Sequence, residues 1–110
     1  MIARVWKATA TPDGARRYAE HFDGAVLPEL RDLPGCRAAH LLTRESGDQV
    51  AIEVITYWES LETIRAFAGD DLGHAVVEPA ARAALTDFER TVTHFTVART
   101  WPAPDEAVTA

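Results

Sequence analysis

The chain has 110 residues, 47% of them hydrophobic, and a formal net charge of -6, which fits one small domain with a core of its own. That charge excludes a general phosphate-binding face and disfavours an anionic membrane surface, so neither nucleic acid nor membrane is an expected partner. Cys36 is the only cysteine, so no disulfide within the chain can hold the fold. No run approaches the roughly 20 apolar residues that span a bilayer. The opening residues lack the layout of a secretion signal, and a cytoplasmic location is the expectation.

In chain order, Ile2 to Thr9 alternates and reads as a strand. Thr11-Pro12-Asp13 reads as a helix start: a capping hydroxyl, a proline at the first helical position, then an acid that suits the dipole. Ala15, Tyr18, Ala19, Phe22 and Val26 share one face of that helix, and Pro28 is expected to kink or end it. Cys36 to Glu45 and Gln49 to Trp58 read as two strands joined by Ser46-Gly47-Asp48. Ser60 caps a short helix with Leu61, Ile64 and Phe67 inward, and Gly69 ends it. A second helical stretch is predicted from about Asp71 to Leu85, interrupted at Pro79, with His74, Val77, Ala81, Ala84 and Phe88 as its stripe. Thr91 to Thr100 reads as the last strand. The domain is therefore drawn over residues 1–100, with 101–110 as a flexible tail.

This order predicts an α+β fold, a ferredoxin-like βαββαβ unit with a four-stranded antiparallel sheet and helices on one side. The third strand is apolar on both faces: Val50, Ile52, Val54 and Trp58 on one, Ala51, Ile55 and Tyr57 on the other. Helices can cover only one of these. A second copy of the same sheet is the simplest cover for the other, which predicts a homodimer through the sheet face.

The run from Thr56-Tyr57-Trp58-Glu59-Ser60 to Phe67-Ala68-Gly69-Asp70-Asp71 resembles the strand-to-helix segment of the antibiotic biosynthesis monooxygenase (ABM) family. Pro34-Gly35-Cys36, Ala75-Val76-Val77-Glu78-Pro79 and Val92-Thr93-His94-Phe95 continue the likeness in order. The resemblance implies a dimeric α+β barrel. It implies one of several activities, including cofactor-independent oxygenation of polyketide quinones, quinol oxygenation and haem degradation. Haem-degrading members resemble one another in an Asn late in the first strand, a Trp on the helix after strand three and an axial His on the next helix. Here those positions are Lys7, Phe67 and, about one turn early, His74. The mismatches count against haem, and no cofactor is expected.

Cofactor-free oxygenation needs a dry pocket, a proton acceptor, donors that favour an anion, and flat walls. His94, on the face of Val92 and Thr96 in the last strand, is the first candidate for the acceptor, or else a half-buried His bonded to a neighbour. His74 is the second, or a helix-cap residue. Trp58 is the third catalytic candidate, a pocket wall whose indole N–H could donate to an oxygen, and Trp6 is a candidate substrate-binding wall; the other reading of both is plain core. Arg4 shares a strand face with Trp6 and is either a pocket cation or half of an ion pair. Phe67, His40 and Tyr18 complete the candidate substrate-binding set. His21 flanks the apolar stripe of its helix and is expected to be solvated. The four His and one Cys show no metal-ligand spacing, so no metal site is expected. The leading expectation is a cofactor-independent monooxygenase of a small aromatic, hydroquinone- or anthrone-like compound. The alternatives are a non-catalytic ligand-binding or accessory protein of the same fold, and, more weakly, a haem protein.

Overall fold

Alternating apolar side chains build the sheet, and the computed structural model describes residues 1–102 of it and its helices. β1 (Ile2–Ala10) runs antiparallel to β3 (Gln49–Trp58), pairing Arg4 with Thr56 and Trp6 with Val54. β2 (Cys36–Ser46) lies on the outer side of β3. Their hairpin is tighter than predicted. Ser46 stays in β2 and pairs with Gln49, which leaves Gly47 and Asp48 as the turn. Gly47 has φ +64, the left-handed conformation such a turn requires.

The other side of β1 is covered by two short strands, not the single predicted one. β4 (Asp87–Phe88) and β5 (Thr93–Thr96) both pair antiparallel with it. Val5 pairs with Thr93 and Ala8 with Phe88, so Trp6 and Lys7 oppose the four residues 89–92. The surplus finds another partner. Ala75 N–H donates to Arg90 O and Val92 N–H to Gly73 O, both at 2.9 Å, around a bridge between His74 and Thr91. The sheet keeps the βαββαβ order in four tracks, with the last one split.

α1 (Pro12–His21) starts as predicted, with Thr11 Oγ1 accepting from Gly14 N–H at 3.0 Å. Pro28 does not end the helical run. A π-helical turn, Phe22–Val26, leads into α2 (Leu27–Arg31), where Pro28 occupies the first turn and its missing N–H is not needed. α3 (Leu61–Ala68) carries a capping box between Ser60 and Thr63 and stops at Gly69, φ +78. Ile64 faces inward and Phe67 is half-buried, but Leu61, in the exposed first turn, is 45% exposed.

The predicted helix from Asp71 is absent. Residues 69–78 form a loop, and α4 spans only Pro79–Ala84. Proline at the first helical turn and extended backbone at Glu78 (ψ 157) set that start, because the residue before proline avoids the helical region. Gly73 weakens any helix upstream of it. Phe88, read as part of that helix, sits in β4 and packs against Trp6 with ring centroids 6.5 Å apart.

The helices cover one face of the sheet. Trp6, Ala8, Ala10, Val50, Ile52 and Val54 pack there with Tyr18, Phe22 and Ala81. Trp58, Leu30 and Ile64 form a second cluster at the other end. The opposite face carries Val5, Ile55 and Tyr57, half-buried, with Leu42 46% and Phe95 55% exposed. Among the described residues no helix is long and apolar enough to cross a membrane. Apart from Trp101 and Pro102, the predicted tail lies outside the described residues.

Candidate active site

Side chains at even positions of β1 and β3 point toward the helices, and between the two layers they leave a cavity of about 60 Å³. Arg4, Trp6, Val54 and Thr56 form its sheet wall. Tyr18 and His21 reach it from α1, Phe67 from α3, and Ala75, Val76 and Val77 close it from the 69–78 loop. It is smaller than the ~150 Å³ void that admits a benzene ring, so an aromatic guest requires a wall to shift outward. The loop wall is the least braced by regular structure, since no helix or long ladder holds it.

Arg4 is the polar centre of this cavity. It is 4% exposed, and its guanidinium donates to Leu72 O at 2.6 Å and His74 O at 2.8 Å. Nη1 also lies 3.0 Å from His94 Nε2, and the guanidinium sits 5.9 Å from the Phe67 ring centre. Burial pushes its pKa down to about 10, so it stays charged at neutral pH. For His94, burial first and the Arg4 charge second both lower the pKa and favour the neutral ring. Tyr18 is shifted the other way, upward, by burial and then by the Glu78 carboxylate. It therefore keeps its proton and can act as a hydrogen-bond donor. The Trp6 indole N–H is already used, donating to Glu89 O at 2.6 Å in the bulge.

The predicted site residues divide by location. Arg4, Trp6, Tyr18 and Phe67 converge on the cavity, and His94 reaches it through Arg4. Trp58 does not line it: the ring is fully buried beside Phe67 (5.8 Å), and its N–H donates to Thr56 Oγ1 at 2.8 Å. His74 is exposed and stands in a bridge, not on a helix, and its contribution to the cavity is its backbone carbonyl. His40 lies on the opposite face of the sheet, edge-on to Tyr57 at 5.7 Å. Sequence reasoning passed over His21, read as solvated. Its side chain is only 12% exposed and lies 4.0 Å from Glu78 at the cavity lining. Its position three residues after Tyr18, on the same helix face, was the available signal. Among the described residues no group of His, Cys, Asp and Glu could hold a metal ion.

The family model for antibiotic biosynthesis monooxygenases matches residues 1–79, more than half of the chain. The chain belongs to the antibiotic biosynthesis monooxygenase family. Solved structures agree on the ABM fold. One is SnoaB, a cofactor-independent oxygenase from Streptomyces nogalater, in a mutant form. It is 18% identical with a TM-score of 0.62, over 93% of this chain and 97% of that one. Another is a monooxygenase from the gene ActVA-Orf6 of Streptomyces coelicolor, in complex with nanaomycin D. It is 19% identical with a TM-score of 0.56, over 94% and 91%. A third is a mutant of MhuD with two manganese protoporphyrin IX bound per active site. It is 21% identical with a TM-score of 0.59, over 94% and 100%. No curated protein sequence matches the chain.

Proposed function

We propose that this ABM protein is a cofactor-independent monooxygenase acting on a small aromatic or polyketide-type compound of the hydroquinone or anthrone kind, held between the helices and β1/β3. The observation that carries the reading is the cavity itself, where three aromatic side chains, Trp6, Tyr18 and Phe67, surround one buried cation. Flat walls orient a flat substrate, and a water-poor site favours chemistry through an anion that fixed donors can stabilise. Family membership and the likeness to SnoaB and the ActVA-Orf6 enzyme support it.

For an anthrone-like substrate the reaction balances with oxygen alone. The ring CH2 loses a proton, the anion passes an electron to O2, and the two radicals combine. The carbon ends as C=O with one oxygen atom, and the other oxygen leaves as water with both hydrogens. The half-buried apolar side chains on the sheet's other face are read as the contact with a second copy.

The haem-degrading pattern finds little support in these residues. Lys7 is exposed and pairs with Glu53 at 3.9 Å, Phe67 packs on Trp58, and the His74 ring is exposed.

Oxygen uptake with anthrone- and hydroquinone-type substrates in chelator-treated buffer tests the proposal. The expected result is stoichiometric O2 consumption with formation of the oxygenated product. Binding of the same compounds without turnover would overturn it in favour of a ligand-binding protein. A Soret band on haem addition that vanishes in His74→Ala would favour the haem reading instead.

A further inference from the structure

We propose that the cavity selects the ionised form of its aromatic ligand, with Arg4 holding the phenolate or enolate oxygen and His94 positioning Arg4. The inference deepens the monooxygenase reading and rests on it for the kind of ligand.

Buried arginines are normally matched by a carboxylate, because an uncompensated charge in a poorly hydrated site is costly. Arg4 has no such match: among the described residues no Asp or Glu lies within ion-pair distance. Its partners are neutral, two backbone carbonyls, an imidazole nitrogen and a ring face. They occupy two N–H groups on Nη1 and one on Nη2. Of the five N–H groups of a guanidinium, that leaves the Nε–H and one Nη2–H. Arg4 is part of the cavity lining. Glu78, the one carboxylate on that lining, is 45% exposed and lies beside His21, not Arg4. The cavity therefore offers flat apolar walls and one unbalanced positive charge with donors to spare. A flat ligand with a single negative oxygen is the chemical complement.

The arrangement also assigns His94. A guanidinium can only donate, so Nε2 accepts and the ring proton sits on Nδ1. His94 with its Nε2 lone pair engaged is a brace for Arg4, and its depressed basicity fits that part.

The direction of a bound phenol's pKa tests this. An apolar cavity alone raises a phenol's pKa, whereas a neighbouring fixed cation lowers it. The probe is 7-hydroxycoumarin, titrated by absorbance free and bound to the full chain under nitrogen. The expected bound pKa is about 1 to 3 units below the free value. The methyl ether of the probe is expected to bind about tenfold more weakly than the phenolate. In Arg4→Met the bound pKa rises above the free value, Arg4→Lys keeps part of the drop, and His94→Phe diminishes it. A wild-type pKa equal to or above that of the free phenol overturns the proposal, even if Arg4→Met fails to fold. Absence of binding by either form of the probe overturns it as well. No oxygen is consumed in this measurement, so a protein that depresses the phenol pKa yet takes up no O2 would sink the monooxygenase reading and leave the anion site standing.

Discussion

Arg4 and His94 face each other across the β1–β5 ladder, with Nη1 3.0 Å from Nε2. A cation and a titratable ring in contact have a pH consequence of definite sign. Folded His94 resists protonation, through burial and then the Arg4 charge, while the unfolded ring titrates near its ordinary 6.5. Between the two values the unfolded state binds more protons, so stability falls as pH falls. The stabilising contribution is complete above the unfolded value and disappears as pH drops through the folded one. Urea unfolding of wild type and His94→Asn between about pH 7.5 and 5 should show a flatter acid limb in the variant. An unchanged slope would contradict the shift.

The same arginine holds the cavity loop. Its bonds to Leu72 O and His74 O tie residues 69–78 to the middle of β1. Charged hydrogen bonds of this kind are worth about 1.5–3 kcal/mol each, so Arg4→Met should raise local opening strongly. Limited proteolysis should cut within 69–78 about tenfold faster or more in a variant that still shows native circular dichroism. Cleavage at the wild-type rate would mean that the bulge at residues 89–92 holds the loop alone.

Trp58 is fully buried and its N–H is satisfied by Thr56, so its substitution should act on stability. Trp58→Phe is expected to cost about 1–3 kcal/mol in urea unfolding, through lost volume and an orphaned hydroxyl. Affinity for an aromatic probe should change less than twofold or so, since the ring is outside the cavity lining. A large loss of affinity at unchanged stability would return Trp58 to the candidate site.

Gly14 lets α1 approach α4. A Cβ there would stand 2.2 Å from the Ala84 carbonyl oxygen, a backbone atom that cannot rotate away. Gly14→Ala should therefore destabilise by about 1–3 kcal/mol despite the better helix propensity of alanine. Thermal unfolding reads this directly, and a stabilised variant would show that the two helices can part at little cost.

The open sheet face is the expected contact with a second copy. Ile55→Glu places a charge among Val5, Tyr57, Leu42 and Phe95 on that face. Sedimentation velocity at micromolar concentration should find a dimer for wild type and a folded monomer for the variant. A monomeric wild type would remove the sheet-to-sheet assembly.

Strands and caps were legible because their signals are local. Alternation fixed β1 and β3, Thr11 and Ser60 capped as their hydroxyls suggest, and Gly69 stopped α3. The 69–78 segment was misread because an apolar stripe at helical spacing also suits a loop packed on a sheet, and Pro79 proved a helix start where an interruption was expected. The split of the last strand depends on where the surplus residues 89–92 find partners, which is a long-range pairing with Gly73 and Ala75. At the site, Arg4, Trp6, Tyr18 and Phe67 could be placed from strand parity and helix faces. Trp58 shares their face of the sheet, as its parity says, but lies at the end of β3 in the second cluster. His74 and His40 could not be placed, because a ring's direction depends on register and on the true element, and the sequence does not display either.

The offset in the β1 ladder also bears on solubility. A sheet ends in two rims of bare amides, and a long straight rim is a template on which another chain can grow a fibril. On one side, the break between β4 and β5 leaves only stubs to copy. On the other, β2 is long, but its register slips between Cys36 and Ala38 and it carries Arg44 and Glu45 near its far end. Straightening the first rim by deleting two of the residues 89–92 would remove a safeguard against ribbon growth as well as the anchor of the neighbouring loop.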